Sequence, residues 1–148
     1  MSFASALTDK LYAFLICRSK SNTKFIVETE PRSIGKISIG RQMVEGKINL
    51  AGQVIQQTDE IWNLKTKERD FFDKLHSFDW VDDLAALGNV EARRFAQNWL
   101  SSWMKKYSSG FGPGWTPELT GRRLVCWAHH YLFLTQGCSE KKLKKFYI

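Results

Sequence analysis

Cysteine is scarce in this chain, and what there is forms no recognisable pairing. Cys17, Cys126 and Cys138 are the three cysteines of 148 residues. An odd number, widely spaced and without a CxxC, argues against a disulfide framework and against a zinc knuckle. Cys17 and Cys126 each lie inside an apolar run, so both read as buried free thiols. Long apolar runs are missing as well. The best candidate, FASALTDKLYAFLIC, is broken by Asp9 and Lys10, so no membrane span is expected. The same stretch lacks the basic start, clean apolar segment and small-residue cleavage site of a signal peptide. The cytoplasm is therefore the default compartment, with the periplasm left open. GK[ST], GxSxG, HExxH and paired CxxC motifs are all absent. GFGPG is glycine-rich but has no strand ahead of it, as a phosphate loop would. Nothing local announces nucleophilic or metal catalysis, and no catalytic residue, metal or cofactor is expected.

What is present reads as a folded, aromatic-rich domain or a piece of a larger one. Hydrophobic content of 43% and charged content of 25% are ordinary for a globular protein and argue against disorder. Six Trp and ten Phe make for a core built largely of rings. A net charge of +7 favours polyanionic partners without choosing among nucleic acid, anionic lipid and acidic polysaccharide. Much of the excess sits near the ends, at Arg18, Lys20 and Lys24 and at Lys141, Lys142, Lys144 and Lys145. Such runs are most simply solvated helix faces.

Periodicity predicts a mainly α protein of antiparallel helical hairpins. Residues 2–17 carry Leu7, Leu11 and Phe14/Leu15 on one helical face. Residues 18–34 read as a linker, with an edge strand at Phe25 to Val27. Four glycines then punctuate GKISIGRQMVEGKINLAGQVIQQ. The alternations Ile37/Ile39 and Ile48/Leu50 predict a small irregular β segment near residues 35–57, with a helical turn at Arg41 to Glu45. The domain expectation is residues 1–34 as helix and linker and residues 35–148 as the helical body. Phe71/Phe72, Leu75, Phe78, Val81 and Leu84/Ala85 recur at three and four, predicting one helix that stops at Gly88. Asn89 can cap the next helix, whose stripe is Ala92, Phe95/Ala96, Trp99/Leu100 and Trp103. SSGFGPGWTPEL cannot be helical. Thr120 can cap a third helix, with Leu124, Trp127/Ala128, Tyr131 and Leu134 as its stripe and Gly137 as its stop. Ser139 starts a short basic helix.

Several constellations invite a chemical reading. His76, Asp79 and Asp83 would share one face of a continuous helix, which suits an Asp-oriented His or a surface pair better than a metal. His129 and His130 are adjacent and point to different faces, one half-buried and one exposed. Trp99, Trp103 and Trp127 lie on apolar stripes and read as core. Trp80 lies off its stripe beside Asp79, and Trp115 sits in the glycine-rich loop ahead of Arg122 and Arg123. An exposed ring beside guanidinium groups could stack on a pyranose while Arg grips a carboxylate or sulfate through two bonds. The same arrangement suits nucleic-acid bases, and packing is the simpler reading for both rings.

GRQMVEGKINLAGQVI, an IW, LHSFDWVDDLAALG, Ala92-Arg93 with Trp99, and WTPELTGRRLVCW follow one another in an order found in a known family. Over about residues 35–137 the chain resembles the N-terminal part of heparinase II/III-like proteins, in the form common in alphaproteobacteria. The resemblance implies part of an incomplete α/α toroid, and a complete protein with a β-sandwich that cleaves uronate-containing polysaccharide by β-elimination. It implies an acidic polysaccharide as the partner of the complete protein. His76, Asp79 and Trp80 would then face the toroid interior, and Trp115, Arg122 and Arg123 would contribute to substrate binding. The family's catalytic Asn or His, Tyr and His match no position here. The expectation is an N-terminal fragment, inactive alone, with apolar surface that a neighbouring gene product could cover. The alternative is a small basic helical module that binds nucleic acid or serves as a scaffold. No helix-turn-helix spacing or RNP-like signature supports the nucleic-acid form.

Overall fold

The computed structural model describes residues 33–56, 61–64, 68–112, 114–139 and 143. The first helix expected at residues 2–17, the strand at Phe25 to Val27 and Cys17 lie outside the described residues. So does the basic helix after Ser139, apart from one turn in which the Leu143 N–H donates to the Ser139 carbonyl at 3.0 Å. Contacts group the chain into Val27–Gly137 and a second unit, Met1–Ile26 with Cys138–Ile148. The architecture below is that of Val27–Gly137. It is mainly helical, with one small antiparallel sheet. Among the described residues no helix is long and apolar enough to cross a membrane.

The first element, α1 (Ile37–Val44), corrects the β reading of this stretch. Ile37 is exposed, so the alternation with Ile39 has no sheet face to serve. The glycines are instead contact points. A Cβ on Gly35 would lie 2.0 Å from the Asp82 carbonyl oxygen, and one on Gly40 would lie 2.3 Å from that of Asp83. Bare Cα atoms let α1 lie directly on the backbone of α3 (Trp80–Leu87). Gly40 costs roughly 1 kcal/mol of helix propensity, and close tertiary packing overrides it. The Asp83 side chain also accepts the Lys36 N–H at 2.7 Å, serving a donor at the start of α1. Burial pushes the Asp83 carboxyl above its ordinary range, against the pull of that N–H.

The expected hairpin follows, with β1 (Lys47–Leu50) antiparallel to β2 (Gln53–Gln56). Ala51 (φ 52°) and Gly52 (φ 80°) form a two-residue turn with both φ angles positive, the geometry that matches strand twist. Ile48 and Leu50 are buried on one face, as their alternation predicts. A single 3-10 turn at Ile61–Asn63 then buries Ile61 and Trp62. The Trp62 carbonyl accepts the Tyr107 hydroxyl at 3.0 Å, and its indole N–H donates to Ser102 Oγ at 2.7 Å.

The single helix expected to end at Gly88 is two. The first, α2 (Arg69–Ser77), ends at Phe78, which adopts φ 68°, and α3 restarts at Trp80. A left-handed non-glycine residue costs about 1–2 kcal/mol. Phe78 is fully buried, stacked on Trp62 at 5.7 Å and edge-on to Trp103 at 5.6 Å and Trp127 at 5.2 Å. Burying and pairing a ring outweighs the backbone cost. Gly88 (φ 67°) ends α3, and Asn89 Oδ1 caps α4 (Val90–Tyr107) through the Ala92 N–H at 2.8 Å, both as predicted. The buried face of α4 is Ala92, Phe95, Ala96, Trp99, Leu100, Trp103 and Tyr107.

Helix α5 (Pro117–His129) starts earlier than expected. Thr116 rather than Thr120 is the cap, accepting the Leu119 N–H at 3.2 Å, and Pro117 opens the first turn. Its inward stripe is Leu119, Arg123 and Cys126, continued by His130 and Leu134 past a break into α6 (Tyr131–Thr135). Leu124, assigned inward by periodicity, is 57% exposed.

Two glycine substitutions separate propensity from packing. Gly121→Ala, mid-α5 with no atom within 4 Å of the added methyl, should stabilise by about 0.5–1 kcal/mol. Gly40→Ala gains the same propensity but meets the α3 backbone, and should destabilise by roughly 1–3 kcal/mol. Urea unfolding reads both; equal effects would mean that α1 does not lie this close to α3.

Candidate functional site

The sequence candidates divide between the core and one open groove. His76 is 1% exposed. Its Nδ1 accepts the Trp103 indole N–H at 3.2 Å, and its ring lies 4.2 Å from that of Phe72. Gly114 presses on it from the loop: an added Cβ would sit 2.3 Å from Nδ1. Burial, and then the positive charges of Arg123 and Lys106, push its pKa down from 6.5 to about 4. His76 is therefore a neutral acceptor enclosed in the core. Trp80 is 1% exposed and donates its indole N–H to the Leu75 carbonyl at 3.1 Å. Neither reaches an open surface of the described residues, as a cleft role would require.

Arg123 is a buried cation. Its guanidinium carbon lies 4.3 Å from the Trp103 ring centroid, 4.9 Å from Trp115 and 5.7 Å from Trp127. Nη1 donates to the carbonyls of His76 at 3.1 Å and Gly114 at 3.0 Å, and Nη2 to Thr120 Oγ1 at 3.3 Å. Burial lowers its pKa to about 10, which leaves it charged at neutral pH. With its fork engaged by carbonyls and its faces covered by rings, Arg123 offers no grip to a substrate carboxylate. Trp115 keeps part of its ring in solvent, packs on Trp103 at 5.5 Å and donates to the Tyr107 carbonyl at 3.0 Å.

The other two candidates, Asp79 and Arg122, meet at the mouth of a groove of about 450 Å³. Ser33, Asp79 and Asp82 form one side, and Arg122, Cys126 and His129 the other. Asp79 pairs with Arg122, and Lys74 Nζ approaches the same carboxylate oxygen at 3.2 Å. The face expected for His76, Asp79 and Asp83 is not shared, because the chain turns at Phe78. Asp83 goes instead to Lys36.

Beside them lies a group that sequence reasoning did not assemble. Asp82 Oδ1 is 2.6 Å from His130 Nε2, and Asp82 Oδ2 accepts the Ser33 hydroxyl. Burial acts to raise the Asp82 carboxyl, but the hydrogen bonds from His130 and Ser33 outweigh it and hold the group below its ordinary value. The Cys126 thiol donates to the Phe78 carbonyl at 3.2 Å. Burial, with the nearby Asp82 and Asp79 carboxylates, pushes that thiol up, so it stays protonated. Cys126 is thus the buried free thiol that its apolar surroundings predict. His130 is buried and His129 half-buried, so neither is the exposed member expected of the pair. The available sequence signal was Cys126-x-x-x-His130 on one helix face; Asp82 lies 48 positions from His130.

These features define a mainly α-helical protein with an aromatic core and a groove beside α5. No family model matches the chain, and no solved structure matches it. It is similar to FtsZ-localized protein C of Caulobacter vibrioides (strain NA1000 / CB15N), at 29% identity over 106 residues. The match covers 70% of this chain and 17% of that protein, so the chain spans a minor part of the curated relative's length.

The buried histidine makes stability depend on pH. His76 binds its proton less readily folded (about 4) than its ordinary value of 6.5. The unfolded chain therefore takes up more protons between those values, and the stability that His76 contributes is complete above 6.5 and lost as pH falls toward 4. Chemical denaturation at pH 7 and pH 4.5 should show a loss of up to about 3 kcal/mol that shrinks in His76→Gln. An identical pH dependence in the variant would place the titration elsewhere.

Proposed function

We propose that this chain is the N-terminal portion of a heparinase II/III-like polysaccharide lyase, with its helical pairs forming the opening hairpins of an incomplete α/α toroid. In the complete protein the groove beside α5 holds an acidic, uronate-containing polysaccharide, and residues beyond this chain carry out β-elimination. The chain alone binds and does not turn over. The observation that carries this reading is Arg122. Among the candidate site residues it is the cation at the groove, held by a half-buried carboxylate that an incoming uronate can replace. The ordered motifs over residues 35–137 and the net charge of +7 support the same partner class.

The test is affinity for a polyuronate or for heparin. A charge-assisted hydrogen bond is worth about 1.5–3 kcal/mol, so Arg122→Ala should weaken binding roughly tenfold or more. Asp79→Asn releases Arg122 and should strengthen it. Circular dichroism would establish that both variants fold. A folded Arg122→Ala variant with unchanged affinity would sink the saccharide reading. Appearance of the unsaturated product's ultraviolet absorbance with this chain alone would refute the division between binding and chemistry.

A second reading rests on the similarity to a protein named for its localisation with FtsZ. In that reading the segment is a scaffold module that associates with FtsZ assemblies, and the groove is incidental. Co-sedimentation of the chain with FtsZ polymers, together with no polyuronate affinity, would favour it. Nucleic-acid retention that falls steeply with salt would favour the basic-module alternative instead.

A further inference from the structure

We propose that Asp82, Cys126 and His130 form a binding site for a thiophilic divalent cation, zinc in the first instance, with a fourth coordination position open to the groove. The ligand atoms of the three side chains all lie within 4.8 Å of one another. One carboxylate, one thiol and one imidazole make up a donor set characteristic of zinc. They come from two elements, Asp82 from α3 and the pair Cys126 and His130 from α5 and its C-terminal boundary. The pair is separated by one helical turn, which stacks its side chains on one face.

Tetrahedral zinc with ligand distances of about 2.0–2.3 Å separates its donors by roughly 3.3–3.8 Å. The Asp82–His130 contact of 2.6 Å must therefore open by about 1 Å for an ion to enter. Outer contacts already orient the ligands. The Ser33 hydroxyl holds the second carboxylate oxygen of Asp82; the thiol's bond to the Phe78 carbonyl places Cys126 in the metal-free chain and is given up when the thiolate forms. Cys126 and His130 are buried, while Asp82 and Cys126 border the groove, which supplies an entry path and room for a water ligand. On binding, the thiol proton leaves to solvent and the thiolate bonds to the metal. His130 Nε2 gives up the proton it shares with Asp82, which passes through solvent so that the neutral ring carries its one proton on Nδ1, and the freed Nε2 lone pair becomes the nitrogen ligand. No oxidant or reductant is involved. The site is independent of the saccharide reading and would stand if that reading failed.

The experiment is titration of the chelator-treated chain with Co²⁺, followed by displacement with Zn²⁺. Cobalt reports its own ligands: a near-ultraviolet thiolate-to-metal band signals the Cys126 bond, and visible bands signal four-coordination. The expected result is saturation at one equivalent, loss of the thiolate band in Cys126→Ser, and at least tenfold weaker binding in Asp82→Asn and His130→Gln. Cys17→Ser and Cys138→Ser should leave the band intact. Cys126→Ser keeps a donor for the Phe78 carbonyl, so it tests the site even if a charge variant fails to fold. Absence of the band, its persistence in Cys126→Ser, or its indifference to folded Asp82→Asn and His130→Gln would each overturn the proposal.

Discussion

A buried guanidinium with no carboxylate partner among the described residues holds this fold together. Arg123 reaches from α5 to the carbonyl of His76 at the end of α2 and to that of Gly114 in the glycine-rich loop, under the rings of Trp103, Trp115 and Trp127. Desolvating such a charge costs several kcal/mol. Hydrogen bonds from a charged donor and cation–π contacts out of water, each worth about 2 kcal/mol, offset that cost. The arrangement needs a planar fork and a flat cation, which lysine does not have. It also explains why position 114 is glycine: only a bare Cα lets the loop carbonyl come this close while His76 occupies the space beside it.

From that centre the molecule divides into two chemical environments. Around Arg123 and His76 the imidazole is enclosed and neutral, and the indole N–H groups of Trp80, Trp103 and Trp115 have acceptors. Across α5 the groove presents Asp79 and Arg122 to solvent. The adjacent residues Arg122 and Arg123 thus serve opposite ends. One points along the buried stripe and maintains the fold; the other stands at the surface and is available to a ligand.

Adjacent arginines look alike in a sequence, and this marks how far the sequence could be read. Helix α4 and its Asn89 cap were legible because an apolar stripe and a capping side chain are local signals. The β1–β2 hairpin was legible from Ile48 and Leu50. Helix α1 was not, because glycine normally argues against helix and its value here lies in contact with a distant backbone. Nor was the break at Phe78, since the three-and-four spacing runs through it unchanged. The same limit applies to the groove. Asp79 and Arg122 stood out individually, but the grouping of Asp82 with Cys126 and His130 arises only where folding brings Asp82 to the C-terminal end of α5, 48 positions from His130, and neither segment carries a trace of the other.

The corner at Phe78 places two demands on one position. The backbone there suits glycine or asparagine; the cavity it fills suits a large ring. No amino acid meets both well, so replacements that relax the chain empty the aromatic cluster, and those that fill the cluster keep the strain. Another aromatic residue here would carry the same compromise. The corner also hands its carbonyl to Cys126. A change that straightened α2 into α3 would move that carbonyl and therefore reach the groove wall at Cys126.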